Sequence, residues 1–185
     1  MTLMHTPICE SGRVAIDFSL PDADGRDWNL AGCRGETATL VMFICNHCPY
    51  VQAILRALVE DMRELQALGV GVVAIMPNDS TAYPQDSAEN MRRIAAEYGF
   101  SFPYLIDDSQ QTARAYGAIC TPDFFGYNAA LELQYRGRLD ATTPGHPAPP
   151  ETPRELLEAM RQIVETGRGP AMQTPSMGCS IKWKA

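Results

Sequence analysis

The sequence predicts an α/β fold in which helices flank a central mixed β-sheet, with an N-terminal β-hairpin and a C-terminal extension. Three observations carry this expectation. Two continuous apolar runs, TLVMFIC at 39–45 and GVGVVAIMP at 69–77, suit strands buried on both faces. Between them Val51, Ile54, Leu55, Leu58, Val59, Met62, Leu65 and Leu68 recur at helical spacing. A helix joining two buried strands is a crossover, which makes those strands parallel.

The remaining elements follow in order. DFSLPDADGRDWNL alternates apolar and polar residues about Asp24-Gly25, as a hairpin with its turn at the Asp-Gly pair does. After the first βαβ unit, SAENMRRIAAEYG reads as a helix between Ser87 and Gly99. FPYLID is a third strand, and SQQTARAYG is a helix that Asp107, Asp108 and Ser109 cap. DFFGYNAALELQYRG reads as a second hairpin, and TPRELLEAMRQIVETG as a last helix capped by Thr152 with Glu155 three residues on. The tail, 166–185, shows no period. One domain over 1–185 is expected, with a core at about 14–165, because the chain is of ordinary single-domain length and shows neither repeats nor low-complexity tracts.

Composition narrows the function. The chain has 185 residues, 45% hydrophobic and 20% charged, and a net charge of −7. That charge speaks against nucleic acid as a partner, since a phosphate-binding surface needs a basic excess. The longest apolar run, Leu40–Cys45, is too short for a bilayer, so no membrane partner is expected. The first residues, MTLMHTPICESGR, lack the basic, apolar and small-residue pattern of a secretory leader, which sets the expectation of a cytoplasmic protein. In that compartment closely spaced cysteines are catalytic or metal-binding more often than structural.

Of the six cysteines, Cys45 and Cys48 stand three apart in FICNHCPYV, where a strand becomes a helix and Pro49 takes a first-turn position. Unpaired N–H groups and positive potential at a helix start stabilise a thiolate, the nucleophile of disulfide exchange. The expected position of Cys45 at the exposed end of the loop gives it the attacking role and Cys48 the resolving one. His47 can donate to the Cys45 sulfur and tune it.

On these residues the chain resembles the thioredoxin superfamily, and within it the peroxiredoxin-like and TlpA/ResA-like redoxin branch (alkyl hydroperoxide reductase/thiol-specific antioxidant-like). The resemblance runs over about 14–165 through FICNHCP and YLIDDSQQTARAYGAICTPDFF, and SMGCSIKWK resembles the ending of redoxins with a CNHCP motif. It implies a thioredoxin-like fold, a cis Thr121-Pro122 bond, and a Thr121 backbone that faces Cys45 to receive an extended substrate strand. It also makes Asn78–Phe102 an insertion between the core halves. Thioredoxin's buried aspartate is replaced by Thr39, with His47 and Asp123 as candidate substitutes for its proton-accepting role. True peroxiredoxins place the peroxide-reducing cysteine at Cys48, but their Thr or Ser is Cys45 here and their Pro is Val41.

The expected function is therefore thiol-disulfide oxidoreduction without a cofactor, acting on a protein or small-molecule disulfide with a thiol reductant. Cys45, Cys48 and His47 are the catalytic candidates, Thr121 and Pro122 the substrate-binding ones, and Cys120 and Cys179 candidate auxiliary thiols. Cys120 either faces the pair or turns into the core, and Cys179 either reaches the pair or serves packing or surface. Cys9 and Cys33 have no partner by spacing. One alternative is a peroxiredoxin-like thiol peroxidase with antioxidant activity. Another is a non-enzymatic metal-binding protein that uses Cys45, Cys48, Cys120 and Cys179 as thiolates.

Overall fold

In the computed structural model, which describes residues 2–185, short segments pack against one long crossover. Strand β1 (Leu3–His5) precedes the expected hairpin of β2 (Ser19–Pro21) and β3 (Asp27–Asn29), in which Leu20 faces Trp28. Asp22 builds the hairpin turn by accepting from the Asp24 and Arg26 N–H groups, and Gly25 supplies a φ of +81° that a side chain would resist. A four-residue helix, α1 (Leu30–Cys33), follows with Asn29 capping the Gly32 N–H, in a stretch to which the sequence assigns no element beyond Leu30.

The buried runs become β4 (Ala38–Phe43) and β5 (Val70–Met76), paired in parallel, with the helix α2 (Pro49–Ala67) crossing between them. A 3₁₀ turn at Pro84–Asp86 and helix α3 (Ala88–Tyr98) fill the insertion. Ser87 caps α3 through the Asn90 N–H, and Gly99 ends it in the left-handed region. Strand β6 (Tyr104–Ile106) leads to α4 (Gln111–Tyr116), whose Ala113 N–H donates to Asp107. Next come β7 (Cys120–Thr121), β8 (Asp123–Asn128), β9 (Leu133–Tyr135), helix α5 (Glu155–Thr166) and a last strand, β10 (Met177–Ser180).

The main sheet has the order β6-β5-β4-β8-β9, parallel across its first three strands and antiparallel thereafter. Strand periodicity sorts its side chains into two cores. Leu40, Met42, Val72, Ala74 and Phe124 face α2 and α5, while Val41, Phe43, Val73, Ile75 and Phe125 face the hairpin and α4. Cys33 belongs to the second core and half-buried Cys9 packs on it, so neither reaches the motif face. No helix among the described residues is long and apolar enough to cross a membrane.

Two expectations change. Thr152 does not cap α5: the helix begins at Glu155 after Arg154, with no side-chain cap. Pro153 holds Thr152 out of the helical region, and the start of α5 is fixed instead by the Leu156 N–H donating to the Leu139 carbonyl. The patternless tail is a strand, β10, lying between β1 and β7 in a second, three-stranded antiparallel sheet.

Asp123, at the first position of β8, is buried and paired with Arg136, whose Nη2 lies 2.8 Å from Oδ2. Burial raises its carboxyl to about 6 even though the guanidinium pulls it down. Arg136→Met would leave this carboxylate buried and alone, at a cost of about 3–5 kcal/mol. Urea unfolding should show that loss, with part of it recovered when Asp123→Asn is added.

Candidate active site

β4 ends at Phe43, two residues before Cys45, and the chain runs through Ile44–His47 before Cys48 takes the N-cap position of α2. Pro49, with no N–H to satisfy, opens the helix as the sequence indicates. The loop is deep in the molecule. Cys45 is 2% exposed and Cys48 is fully buried, so the expectation that Cys45 sits exposed at the loop end does not hold.

A buried loop needs partners for its backbone. They come from Asp86, a residue of the insertion that sequence reasoning missed. Its Oδ1 accepts from the Asn46 N–H at 2.8 Å and the His47 N–H at 3.3 Å. Its Oδ2 accepts from His47 Nδ1 at 2.7 Å and from Asn78 Nδ2 at 2.8 Å. His47 is thereby turned away from a free role and stacks on Tyr83, with ring centroids 5.5 Å apart. The hydrogen bond to Asp86 raises its pKa, against the opposing effect of burial.

The thiols meet over Thr121. The Thr121–Pro122 bond is cis, as the resemblance implies. The Thr121 hydroxyl lies 3.2 Å from Cys45 Sγ, and its carbonyl 3.1 Å from Cys48 Sγ. Cys45 donates a hydrogen bond to Cys48; with burial and the Asp86 charge, this holds the Cys45 thiol well above the usual range. The same bond, with help from the Cys179 thiol and the Val51 and Cys179 N–H groups, lowers Cys48 to about 5 against its burial. The pair thus shares one proton, and the resting charge lies on Cys48. Once protonated, Cys48 has an acceptor waiting in the Thr121 carbonyl.

The auxiliary thiols separate. Cys120 is buried, directs its S–H toward the Pro122 carbonyl at 3.9 Å, and is pushed strongly up by burial. It is close to the pair but is a poor nucleophile. Cys179 is brought to 3.0 Å from Cys48 Sγ by β10. Its register partner across the strands is Thr121, so the backbone edge expected to await a substrate strand is occupied by the protein's own tail.

Among the described residues, one set of three metal-ligating side chains converges: Cys45, His47 and Asp86, with donor atoms within 4.8 Å of one another. Both Asp86 oxygens already accept two hydrogen bonds each. The carboxylate is therefore spent on the loop, and the four-cysteine arrangement weighed from sequence is not assembled. Of the candidate proton acceptors, Asp123 is held by Arg136, while His47 stands by the pair with its Nδ1 proton on Asp86. Thr39, at the position of thioredoxin's aspartate, takes the Gly35 N–H instead.

Because His47 is more basic folded than unfolded, its bond to Asp86 stabilises the protein fully below about pH 6.5 and loses that contribution as pH rises through the folded-state value. Asp86→Asn should lower the His47 pKa in an NMR titration and remove that stretch of pH dependence from thermal stability. An unchanged His47 titration would show that Asp86 does not set it.

A model of the AhpC/TSA family matches residues 11–142. An uncharacterized conserved protein of Geobacillus kaustophilus shares 41% identity and a TM-score of 0.93, over 100% of this chain and 97% of its own. Peroxiredoxin Bcp of Escherichia coli K12 is 29% identical over 117 residues, 63% of this chain and 70% of its own length. The thiol-disulfide oxidoreductase ResA of Geobacillus thermodenitrificans is 28% identical over 120 residues, 62% of this chain and 61% of its own. The thioredoxin domain of a thiol-disulfide oxidoreductase from Bacteroides vulgatus shares the fold at 16% identity and a TM-score of 0.57, over 68% of this chain and 86% of its own. The matched span contains Cys45, His47, Cys48, Asp86 and Thr121, and the chain belongs to the AhpC/TSA family.

Proposed function

We propose that the protein is a thiol-disulfide oxidoreductase in which Cys45 and Cys48 cycle between dithiol and disulfide. The observation that carries this reading is the meeting of both thiols over Thr121, whose hydroxyl lies 3.2 Å from Cys45 Sγ and whose carbonyl lies 3.1 Å from Cys48 Sγ. Cys45 passes its proton to the Cys48 thiolate, which turns its S–H to the Thr121 carbonyl. The new Cys45 thiolate attacks a substrate disulfide, forms a mixed disulfide and expels the first substrate thiolate. That thiolate takes the proton from Cys48, whose sulfur then attacks Cys45 Sγ. The second substrate thiolate leaves, and the Cys45–Cys48 bridge remains for a thiol reductant to open. The departing substrate thiolate therefore takes the proton that a carboxylate at the Thr39 position would accept, and the Thr121 hydroxyl supports the charge on Cys45.

Substrate class follows from access. With β10 on the Thr121 edge, an extended polypeptide has no open strand to join, which favours a small disulfide. A cavity of about 340 Å³ opens beside the motif, lined by Tyr50, Ile54, Pro122, Leu139, Thr142 and Met177 among others, and provides a mostly apolar approach. Phe124 and Phe125 are buried in the core, and Tyr50 lines the cavity.

The charge on Cys48 also supports a second reading, in which this thiolate reduces a peroxide. It sits where peroxiredoxins hold their reactive cysteine, although Cys45 and Val41 replace the threonine and proline of that pocket. One pair of assays separates the two. In single-turnover reaction of pre-reduced protein with bis(2-hydroxyethyl) disulfide, Cys45→Ser should lower the rate at least about 10³-fold, as loss of a nucleophile does. If the variant keeps near-normal consumption of hydrogen peroxide and the native protein reacts with peroxide far faster than with the disulfide, the peroxidase reading replaces the first.

A further inference from the structure

β10 is held against the motif by contacts along its whole length. Ser176 Oγ donates to the Pro122 carbonyl at 2.8 Å, the Ile181 N–H to the Ile119 carbonyl at 3.0 Å, and the Lys182 N–H to Asn78 Oδ1 at 2.9 Å. Asn78 is the same residue that donates to Asp86, so the tail and the His47 loop hang on one amide. A Cβ on Gly178 would collide with the Thr121 carbonyl, so only glycine lets the strand approach this closely. The outcome is an extended segment, antiparallel to the cis-proline loop, that carries a cysteine in the geometry of strand addition.

We propose that Cys179 is a third redox thiol of the same site, which attacks the Cys45–Cys48 disulfide at Cys48 and takes over the bridge. This rests on the reading of Cys45 and Cys48 as a redox pair. The Cys179 Sγ–Cys48 Sγ bond forms as the Cys45–Cys48 bond breaks, and the electron pair leaves on Cys45. The proton lost by Cys179 ends on Cys45. One disulfide replaces another within the chain, so no outside oxidant or reductant enters. The two sulfurs start 3.0 Å apart and need reach only the ~2.05 Å of a disulfide.

Electrostatics ties this exchange to the state of the pair. In the reduced protein, burial and the neighbouring Cys48 thiolate raise Cys179 to about 12, while Lys182 pulls it down. Forming the Cys45–Cys48 bridge removes the thiolate and leaves Lys182 in place. The event that creates the electrophile at Cys48 therefore also makes Cys179 a better nucleophile. Two oxidised forms result. In one Cys45 is blocked and the tail is held without a covalent bond. In the other Cys45 is a thiol again beside the Thr121 hydroxyl, and the tail is bonded across the motif.

Thiol titration cannot distinguish these forms, because each bridge consumes two of the six cysteines. Tryptic mapping under non-reducing conditions can. Cys45 and Cys48 fall in one peptide, 35–56, and Cys179 in another, 169–182. The full-length protein and its Cys45→Ser, Cys45→Ala and Cys179→Ser variants are equilibrated in glutathione redox buffers and mapped from the monomer band. Native protein should give both the internal bridge of 35–56 and the cross-link of 35–56 to 169–182. The Cys45 variants should give only the cross-link, and Cys179→Ser only the internal bridge. If both Cys45 variants stay folded by circular dichroism and yield no cross-link in any buffer, the third-thiol proposal is overturned. The internal bridge in Cys179→Ser tests the dithiol reading separately, and its absence there would sink that reading instead.

Discussion

The site depends on one buried carboxylate. A chain that leaves a central strand and starts a helix inside the protein must find partners for several N–H groups where no water reaches. Asp86 takes two of them, from Asn46 and His47, and the His47 ring as well. With the loop fixed, Cys48 is set at the head of α2, where the helix start and the Cys45 thiol favour its charge. Asn78 extends the same network to the tail at Lys182. Thiol acidity, histidine basicity and the position of the last strand are therefore consequences of one set of hydrogen bonds, not separate features.

Much of this was legible in the sequence, and the rest was hidden for identifiable reasons. β4, α2 and β5 could be read because burial on two faces, or on one stripe, writes itself as an apolar run or a helical period. The CNHCP step announced both the thiols and the helix start. Asp86 gave no such signal: PQDS reads as an exposed turn, and its carboxylate acts on residues some forty positions away. Thr152 carried a capping pattern that Pro153 overrode. The tail failed for a different reason. Its strand has a glycine at the point of tightest approach and pairs with residues near both the start and the middle of the chain, so no local alternation marks it.

The roles of the two motif cysteines also required coordinates. Sequence assigns attack to the first thiol by its place at the loop end, yet both are covered and the charge belongs to the second. These statements agree once the pair is treated as a single acid. The proton that lowers one sulfur is the proton that the other must lose, so acidity and attack can reside on different atoms joined by a hydrogen bond. In the proposed reading, a cysteine stands as redox partner where peroxiredoxins carry a hydroxyl donor.

The cover formed by β10 has a kinetic consequence. A four-residue strand in a peripheral three-stranded sheet opens by local fluctuation more often than the domain unfolds. With Cys45 2% exposed and Cys48 fully buried, a reagent meets the thiols during such openings. Its rate is then the intrinsic rate multiplied by the open fraction, whatever the acidity of Cys48. The stability of a small peripheral sheet thus gates access, setting how often the covered thiols can be reached.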